Sequence, residues 1–192
     1  MTEKELEDTC TQLEQHIMPI MNFYDDFPKK GIKFLDIFSA TEKPEAFKKI
    51  IDALKLMIEV KVGKPGVAFT HLAGLESKGF VLGPILAYMW NISFIPIRKK
   101  GKLPGECIKQ DYTLEYGSDT IEIQTTAFKA GDKVVLIDDL LATGGTLWAA
   151  ESLLKRCEGV EVVANALIFE IDVLKGRERL TAPQTLTLIH LK

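Results

Sequence analysis

Val134-Val135-Leu136-Ile137-Asp138-Asp139-Leu140-Leu141-Ala142-Thr143-Gly144-Gly145-Thr146 is the stretch on which the reading of this chain turns. Four apolar residues in a row predict a strand buried on both faces. Two carboxylates emerge at its end, and paired glycines then open a predicted helix over 145–156. Gly144 and Gly145 allow a tight turn in which successive amides converge on an anion. The helix behind them adds free N–H groups and its positive dipole end. Thr143 and Thr146 add hydroxyl donors, so the loop reads as a phosphate cradle. Asp138 and Asp139 would repel a phosphate and therefore face sugar hydroxyls or magnesium. Phosphate cradle and diol-binding acids together describe a ribose 5-phosphate pocket. An ordinary capped helix start would explain a lone Gly-Gly pair, but not the whole thirteen-residue pattern. The chain has no GxxxxGK[ST] and no GxGxxG after a strand, which leaves P-loop and dinucleotide sites unsupported.

Outward from that strand the chain alternates. Strands are predicted over 67–72, 92–97, 160–169 and 185–189, with a helix over 79–90. Two further strands, 110–115 and 120–124, flank a hairpin-like turn at Tyr116-Gly117-Ser118-Asp119. Toward the N-terminus, Leu6, Cys10, Leu13 and Ile17 recur at helical spacing. A turn-rich break over 25–31 and an apolar stretch over 32–38 follow. Pro44 then suits the first turn of a helix whose apolar face is Phe47, Ile50, Ile51, Leu54, Met57 and Ile58. Such alternation predicts an α/β fold with a parallel sheet covered on both faces. Ligands in these folds sit beyond the carboxyl ends of the strands, which singles out the loops after Leu72, Ile97 and Ile137.

Bulk properties narrow the class. At 192 residues, 46% hydrophobic and 27% charged, the chain suits one ordinary globular domain. A net charge of −3 argues against a nucleic-acid module. Cys10, Cys107 and Cys157 lie far apart without zinc spacing, which suits a reducing compartment. The acidic start MTEKELEDTC is no signal peptide, and no apolar run reaches bilayer length. The expected location is therefore cytoplasmic, with neither membrane nor nucleic acid as partner.

The loop after Leu72, Ala73-Gly74-Leu75-Glu76-Ser77-Lys78-Gly79-Phe80, again joins a strand to a helix and offers a second anion site. A connecting loop with one exposed lysine explains it equally well. After Ile97, Arg98-Lys99-Lys100-Gly101-Lys102 places four cations in five residues. At a ligand edge in an acidic chain, such a cluster meets an anion rather than forming a solvated face.

The segment 134–146 resembles the phosphoribosyl-pyrophosphate signature of the type I phosphoribosyltransferases. That resemblance implies ribose hydroxyls on Asp138 and Asp139, and the 5-phosphate on Ala142, Thr143, Gly144, Gly145 and Thr146. Residues 73–80 resemble the pyrophosphate loop of adenine phosphoribosyltransferases, which implies a non-proline cis peptide between Glu76 and Ser77. Pyrophosphate then falls to Glu76, Ser77, Lys78, Arg98, Lys99 and Lys102, with Lys78 standing where the family usually has arginine. A lysine keeps the charge but loses the planar fork. Arg98 to Gly105 with Leu114-Glu115-Tyr116-Gly117 resembles the family's flexible loop, about 98–117. By that likeness Glu115 is the catalytic acid/base near the purine N7, and Tyr116 helps close the site.

Asp26 to Ile37 resembles the small hood over the purine, about 20–40, where backbone groups at Lys33 and Leu35 would read adenine; Leu35 replaces the usual arginine. Glu170 to Leu180 also matches the family pattern but carries no assigned chemistry, only packing or a subunit contact. The resemblance implies a single phosphoribosyltransferase domain over 1–192, Mg²⁺ held through substrate near Asp138 and Asp139, and a homodimer. The implied reaction is adenine plus phosphoribosyl pyrophosphate to AMP plus pyrophosphate. The same chemistry on another purine, or a non-catalytic nucleotide sensor, are the alternatives.

Overall fold

A computed structural model describes residues 2–114 and 117–192, which fall into two compact units, 1–60 and 61–192. The first begins with α1 (Glu3–Ile17). Its start is a capping box: the Thr2 amide donates to Glu5 Oε2 at 2.6 Å, and the Glu5 amide to Thr2 Oγ1 at 3.2 Å. The helix buries Leu6, Leu13 and Ile17, as its spacing predicts. Strands β1 (Asn22–Asp25) and β2 (Lys33–Asp36) pair antiparallel, with Phe23 opposite Leu35 and Asp25 opposite Lys33. The connection turns at Asp26, where φ is 58°, and the Gly31 amide donates to its carboxylate at 2.6 Å. A short helix α2 (Phe38–Thr41) and the long α3 (Pro44–Lys61) follow, the latter opening at Pro44 as expected.

The second unit is one sheet in the order β10-β9-β7-β3-β4-β6-β5. Strands β3 (His71–Leu75), β4 (Ser93–Lys99), β7 (Lys133–Ile137), β9 (Glu161–Ile171) and β10 (Thr185–Leu191) run parallel. The antiparallel pair β5 (Cys107–Leu114) and β6 (Gly117–Gln124) extends it beyond β4. A two-residue strand, β8 (Leu140–Leu141), lies beside the end of β9. Helix α4 (Gly79–Trp90) packs on β3 and β4, and α5 (Gly145–Leu154) on β5, β6 and β9. The fully buried core includes Leu136, Ala150, Leu153, Leu154 and Leu167. Among the described residues no helix is long and apolar enough to cross a membrane.

Two expectations need correction. The strand predicted over 67–72 lies at 71–75. Gly66, at φ +79°, turns the chain there, the Val67 and Ala68 amides donate to the Lys64 carbonyl, and Val67 is left 69% exposed. The hairpin turn expected at 116–119 is displaced, since Tyr112 pairs with Asp119 and Leu114 with Gly117 inside the ladder. The expected parallel sheet flanked by helices runs from β10 to β4, and the polar stretch after Arg98 folds back as the hairpin β5 and β6, which extends it antiparallel.

A candidate active site at the ends of β3, β4 and β7

Strand β7 sits between β3 and β9, so its end opens at the middle of the sheet. Asp138 and Asp139 leave there. The Asp138 amide donates to the Ala166 carbonyl at 3.3 Å, and the Ile168 and Phe169 amides donate to the Asp139 carbonyl at 3.2 and 2.9 Å. These backbone bonds hold both acids in place independently of their side chains. After β8 rejoins the sheet beside Phe169 and Glu170, the chain turns through 142–144 into α5. Gly144 takes φ +76° at the helix start, and among the described residues no side chain caps that end. The first-turn amides of α5 therefore face a small cleft of about 80 Å³ lined by Asp138 and residues 140–147. The expected cradle residues Ala142, Thr143, Gly144, Gly145 and Thr146 all line it.

The loop after β3 is shorter than the sequence suggests, because Ala73 to Leu75 continue the strand and only Glu76 to Lys78 remain outside it. The peptide between Glu76 and Ser77 is cis, as the resemblance implies. Gly79 is required by packing, since a Cβ there would lie 2.4 Å from the Ile137 carbonyl oxygen. That close approach sets the start of α4 against the end of β7. Lys78 Nζ consequently reaches Asp139 Oδ2 at 3.2 Å, so the two loops meet across neighbouring strands.

Glu76 does not present its carboxylate outward. Arg98 Nε and Nη2 donate to it at 3.1 and 3.2 Å, and the Lys99 amide at 3.2 Å. The Arg98 hydrogen bond, partly opposed by burial, holds this carboxyl below the usual glutamate range. Its side chain thus orders the basic cluster, while Ser77 and Lys78 remain as the donors of that loop. Lys99 Nζ pairs with Asp119 Oδ2 at 3.1 Å. Buried Glu122 accepts the amides of Lys102 and Leu103 at 2.9 and 3.0 Å and so anchors the segment carrying the expected cations. Tyr112 sits beside Glu76, Lys99 and Thr146. Burial pushes the pKa of its phenol up.

Sequence reasoning missed Tyr112 and Glu122, which look like ordinary strand residues, and Asp119, which it placed in the hairpin turn. The pairing of β6 with β4 and of β5 with β6 brings them to the site. Lys33 and Leu35 belong to the other unit; Lys33 is exposed with Nζ 5.3 Å from the Phe23 ring centre, and Leu35 is buried. Glu115 and Tyr116 lie outside the described residues.

The phosphoribosyl transferase domain family matches residues 41–184. Adenine phosphoribosyltransferase 1 of Saccharomyces cerevisiae is 44% identical over 169 residues, covering 88% of this chain and 89% of that one. The adenine phosphoribosyltransferase of Parvibaculum lavamentivorans is 47% identical over 157 residues, covering 82% and 86%. The chain belongs to the adenine phosphoribosyltransferase family. Among solved structures, the yeast member, crystallised with an imino-altritol bisphosphate and adenine, superposes with a TM-score of 0.84 at 40% identity, covering 93% of this chain and 99% of that chain. The Trypanosoma brucei enzyme, in complex with AMP, pyrophosphate and ribose-5-phosphate, gives a TM-score of 0.79 at 29% identity, covering 91% and 79%.

Asp138 occupies an electrostatically costly position. Burial, followed by the neighbouring Asp139 charge, pushes Asp138 well above the ordinary carboxylate value of 3.8. The folded protein holds this proton more tightly than the unfolded chain does. The resulting stabilisation is complete below 3.8 and is lost as pH rises through the higher folded value. Asp138→Asn keeps an Oδ1 acceptor for the Asp139 amide, which now donates at 3.0 Å, and removes the charge. Its melting temperature should exceed that of the parent by about 2–4 °C for each kcal/mol relieved. That gain should be largest in mildly alkaline buffer and shrink on acidification. Superimposable melting profiles of the two proteins would show that the Asp138 charge carries no such cost.

Proposed function

We propose that this chain transfers the phosphoribosyl group of phosphoribosyl pyrophosphate to adenine, giving AMP and pyrophosphate. The observation that carries this reading is the meeting of two anion loops at adjacent strand ends, with Asp138 and Asp139 between them and Lys78 bridging to Asp139. A substrate with phosphate on both sides of a ribose needs that layout.

In the proposed reaction, the loop 142–146 grips the 5-phosphate through amides and threonine hydroxyls. Asp138 and Asp139 accept hydrogen bonds from the ribose hydroxyls and orient the anomeric carbon. Adenine N9 forms its bond to that carbon as the carbon–oxygen bond to pyrophosphate breaks, and pyrophosphate leaves with the electron pair. Ser77, Lys78, Arg98, Lys99 and Lys102 stabilise the departing charge, which should account for much of the rate. The proton lost from the purine is managed by Glu115 near N7, with Tyr116 closing the site. Adenine's edge is read by backbone groups at Lys33 and Leu35, a readout that tolerates leucine in place of arginine.

Mg²⁺ fits this donor set, because burial and the neighbouring Asp139 charge raise Asp138 above the ordinary carboxylate value, and a hard dication with oxygen ligands would offset that crowding. Bound with substrate near Asp138 and Asp139, it would add charge neutralisation at the pyrophosphate. We further propose one phosphoribosyltransferase domain, a homodimer by the family resemblance, working in the cytoplasm that its sparse, widely spaced cysteines suit.

Pyrophosphate release, measured with phosphoribosyl pyrophosphate, Mg²⁺ and each purine in turn, tests the reading. Adenine should be preferred over hypoxanthine, guanine and xanthine by roughly 10⁴-fold in kcat/KM, the scale on which a site matched to one hydrogen-bonding edge rejects another. Preference for a different purine would keep the chemistry and overturn the base. Binding of AMP without release from any purine would favour a nucleotide sensor.

A further inference from the structure

The segment 170–180 matches the family pattern yet has no part in the reaction just described. Its backbone runs against the phosphate loop. After β9 the chain takes one 3₁₀ turn, Asp172–Leu174, passes through Lys175 at φ 50°, and takes another, Gly176–Arg179. A Cβ at Gly176 would lie 2.1 Å from the Ala142 carbonyl oxygen and 2.9 Å from the Gly144 nitrogen. Reciprocally, a Cβ at Gly144 would lie 2.4 Å from the Gly176 carbonyl oxygen. Two backbones therefore touch with no room for a side chain on either.

Neighbouring side chains hold this turn from three directions. Arg177 Nε donates to Glu170 Oε1 at 3.1 Å, its Nη2 pairs with Glu170 Oε2, and its Nη1 donates to the Thr185 carbonyl. Glu170 is 4% exposed and lies opposite Leu141, one residue before the phosphate loop begins. The Arg179 guanidinium sits 5.1 Å from the ring centre of Trp148, in the first turn of α5. Buried Glu151 of α5 accepts the Thr181 amide and hydroxyl at 2.7 Å each and the Ala182 amide at 3.1 Å. The turn is thereby fixed to the strand before the loop, to the helix after it and to the loop itself.

We propose that residues 176–179 form a rigid outer wall of the 5-phosphate loop, and that Gly176 and Arg177 are positioning residues that set affinity for the phosphoribosyl group. This inference rests on reading 142–146 as the phosphate site. A cradle of amides binds well only if the amides converge before the ligand arrives; otherwise ordering the loop is charged against binding. The wall supplies that order through backbone contact, and the Arg177 fork keeps the wall in place.

Arg177→Gln should raise KM for phosphoribosyl pyrophosphate and Kd for AMP by roughly tenfold each, the scale of a sub-ångström misplacement. KM for adenine, which carries no phosphate, should stay within about twofold of the parent. Arg177→Lys should recover part of the loss, since it keeps the charge beside Glu170 without the fork. Gly176→Ala should be more severe, and if that protein fails to fold the two Arg177 variants still decide the matter. A lowered melting temperature for Arg177→Gln with unchanged KM for phosphoribosyl pyrophosphate and unchanged AMP affinity would overturn the proposal. Thr143→Ala separates the two readings: if it weakens AMP binding while Arg177→Gln does not, the wall alone falls. If neither variant weakens AMP binding, the phosphate assignment of the loop falls and takes the wall with it.

Discussion

Replacing Asp138 and Asp139 together with alanine is expected to lower kcat/KM for phosphoribosyl pyrophosphate by roughly 10³-fold or more while the protein stays folded. Hydrogen bonds to charged groups are worth about 1.5–3 kcal/mol each, and the double substitution removes the acceptors proposed for both ribose hydroxyls. Orientation of the anomeric carbon goes with them, adding to the loss. The fold should tolerate the change. The backbone of this segment is held by amides from Ile168 and Phe169 and by the Ala166 carbonyl, none of which depends on a carboxylate. Removing the charges also relieves the burial and like-charge cost carried by Asp138. Lys78 loses its 3.2 Å partner, so part of the activity loss will come through the pyrophosphate loop. Steady-state kinetics beside a thermal melt gives a clean answer. A double variant that is stable and nearly as active as the parent would remove the ribose role from both residues.

Much of this architecture was readable because the decisive signals are local. Pro44 and Gly145 mark helix starts by their own backbone chemistry, and the structure begins α3 and α5 there. The run Val134 to Ile137 is apolar throughout because β7 is buried on both faces, between β3 and β9. Local signals failed where partners far along the chain decide. Val67 is as apolar as a strand residue, but the turn at Gly66 puts it in solvent. Glu76 looks like a loop acid and becomes the anchor of Arg98 only because β3 and β4 are neighbours. Glu122 and Tyr112 gain their places from strand pairings that composition does not encode. Gly176 is the clearest case. Nothing near it in sequence announces contact with Ala142 and Gly144, more than thirty residues away, and only the ends of β8 and β9 bring the two turns together.

That contact makes Gly144→Ala the second substitution with a large expected effect. Two costs combine at this position. With φ at +76°, any side chain sits in the left-handed region, a strain of about 1–2 kcal/mol. The new Cβ would also fall 2.4 Å from the Gly176 carbonyl oxygen, a backbone atom that cannot move aside alone. Either the loop or the wall must shift, and a displacement near 1 Å at a phosphate cradle costs roughly 10²-fold in turnover. The expected result is a fall in kcat/KM for phosphoribosyl pyrophosphate of roughly 10²- to 10³-fold, with a parallel loss of AMP affinity. Gly131→Ala isolates the strain, because Gly131 sits at φ +92° in the turn before β7, and a methyl group there would have nothing within 4 Å. That control should lose about 1–2 kcal/mol of stability and keep its kinetics. If Gly144→Ala behaves like the control, backbone strain is the whole of its cost and the loop is softer than the contact with Gly176 requires. If it loses affinity for phosphoribosyl pyrophosphate and AMP while its melting temperature matches that of Gly131→Ala, the shape of the cradle, rather than stability, is what Gly144 protects.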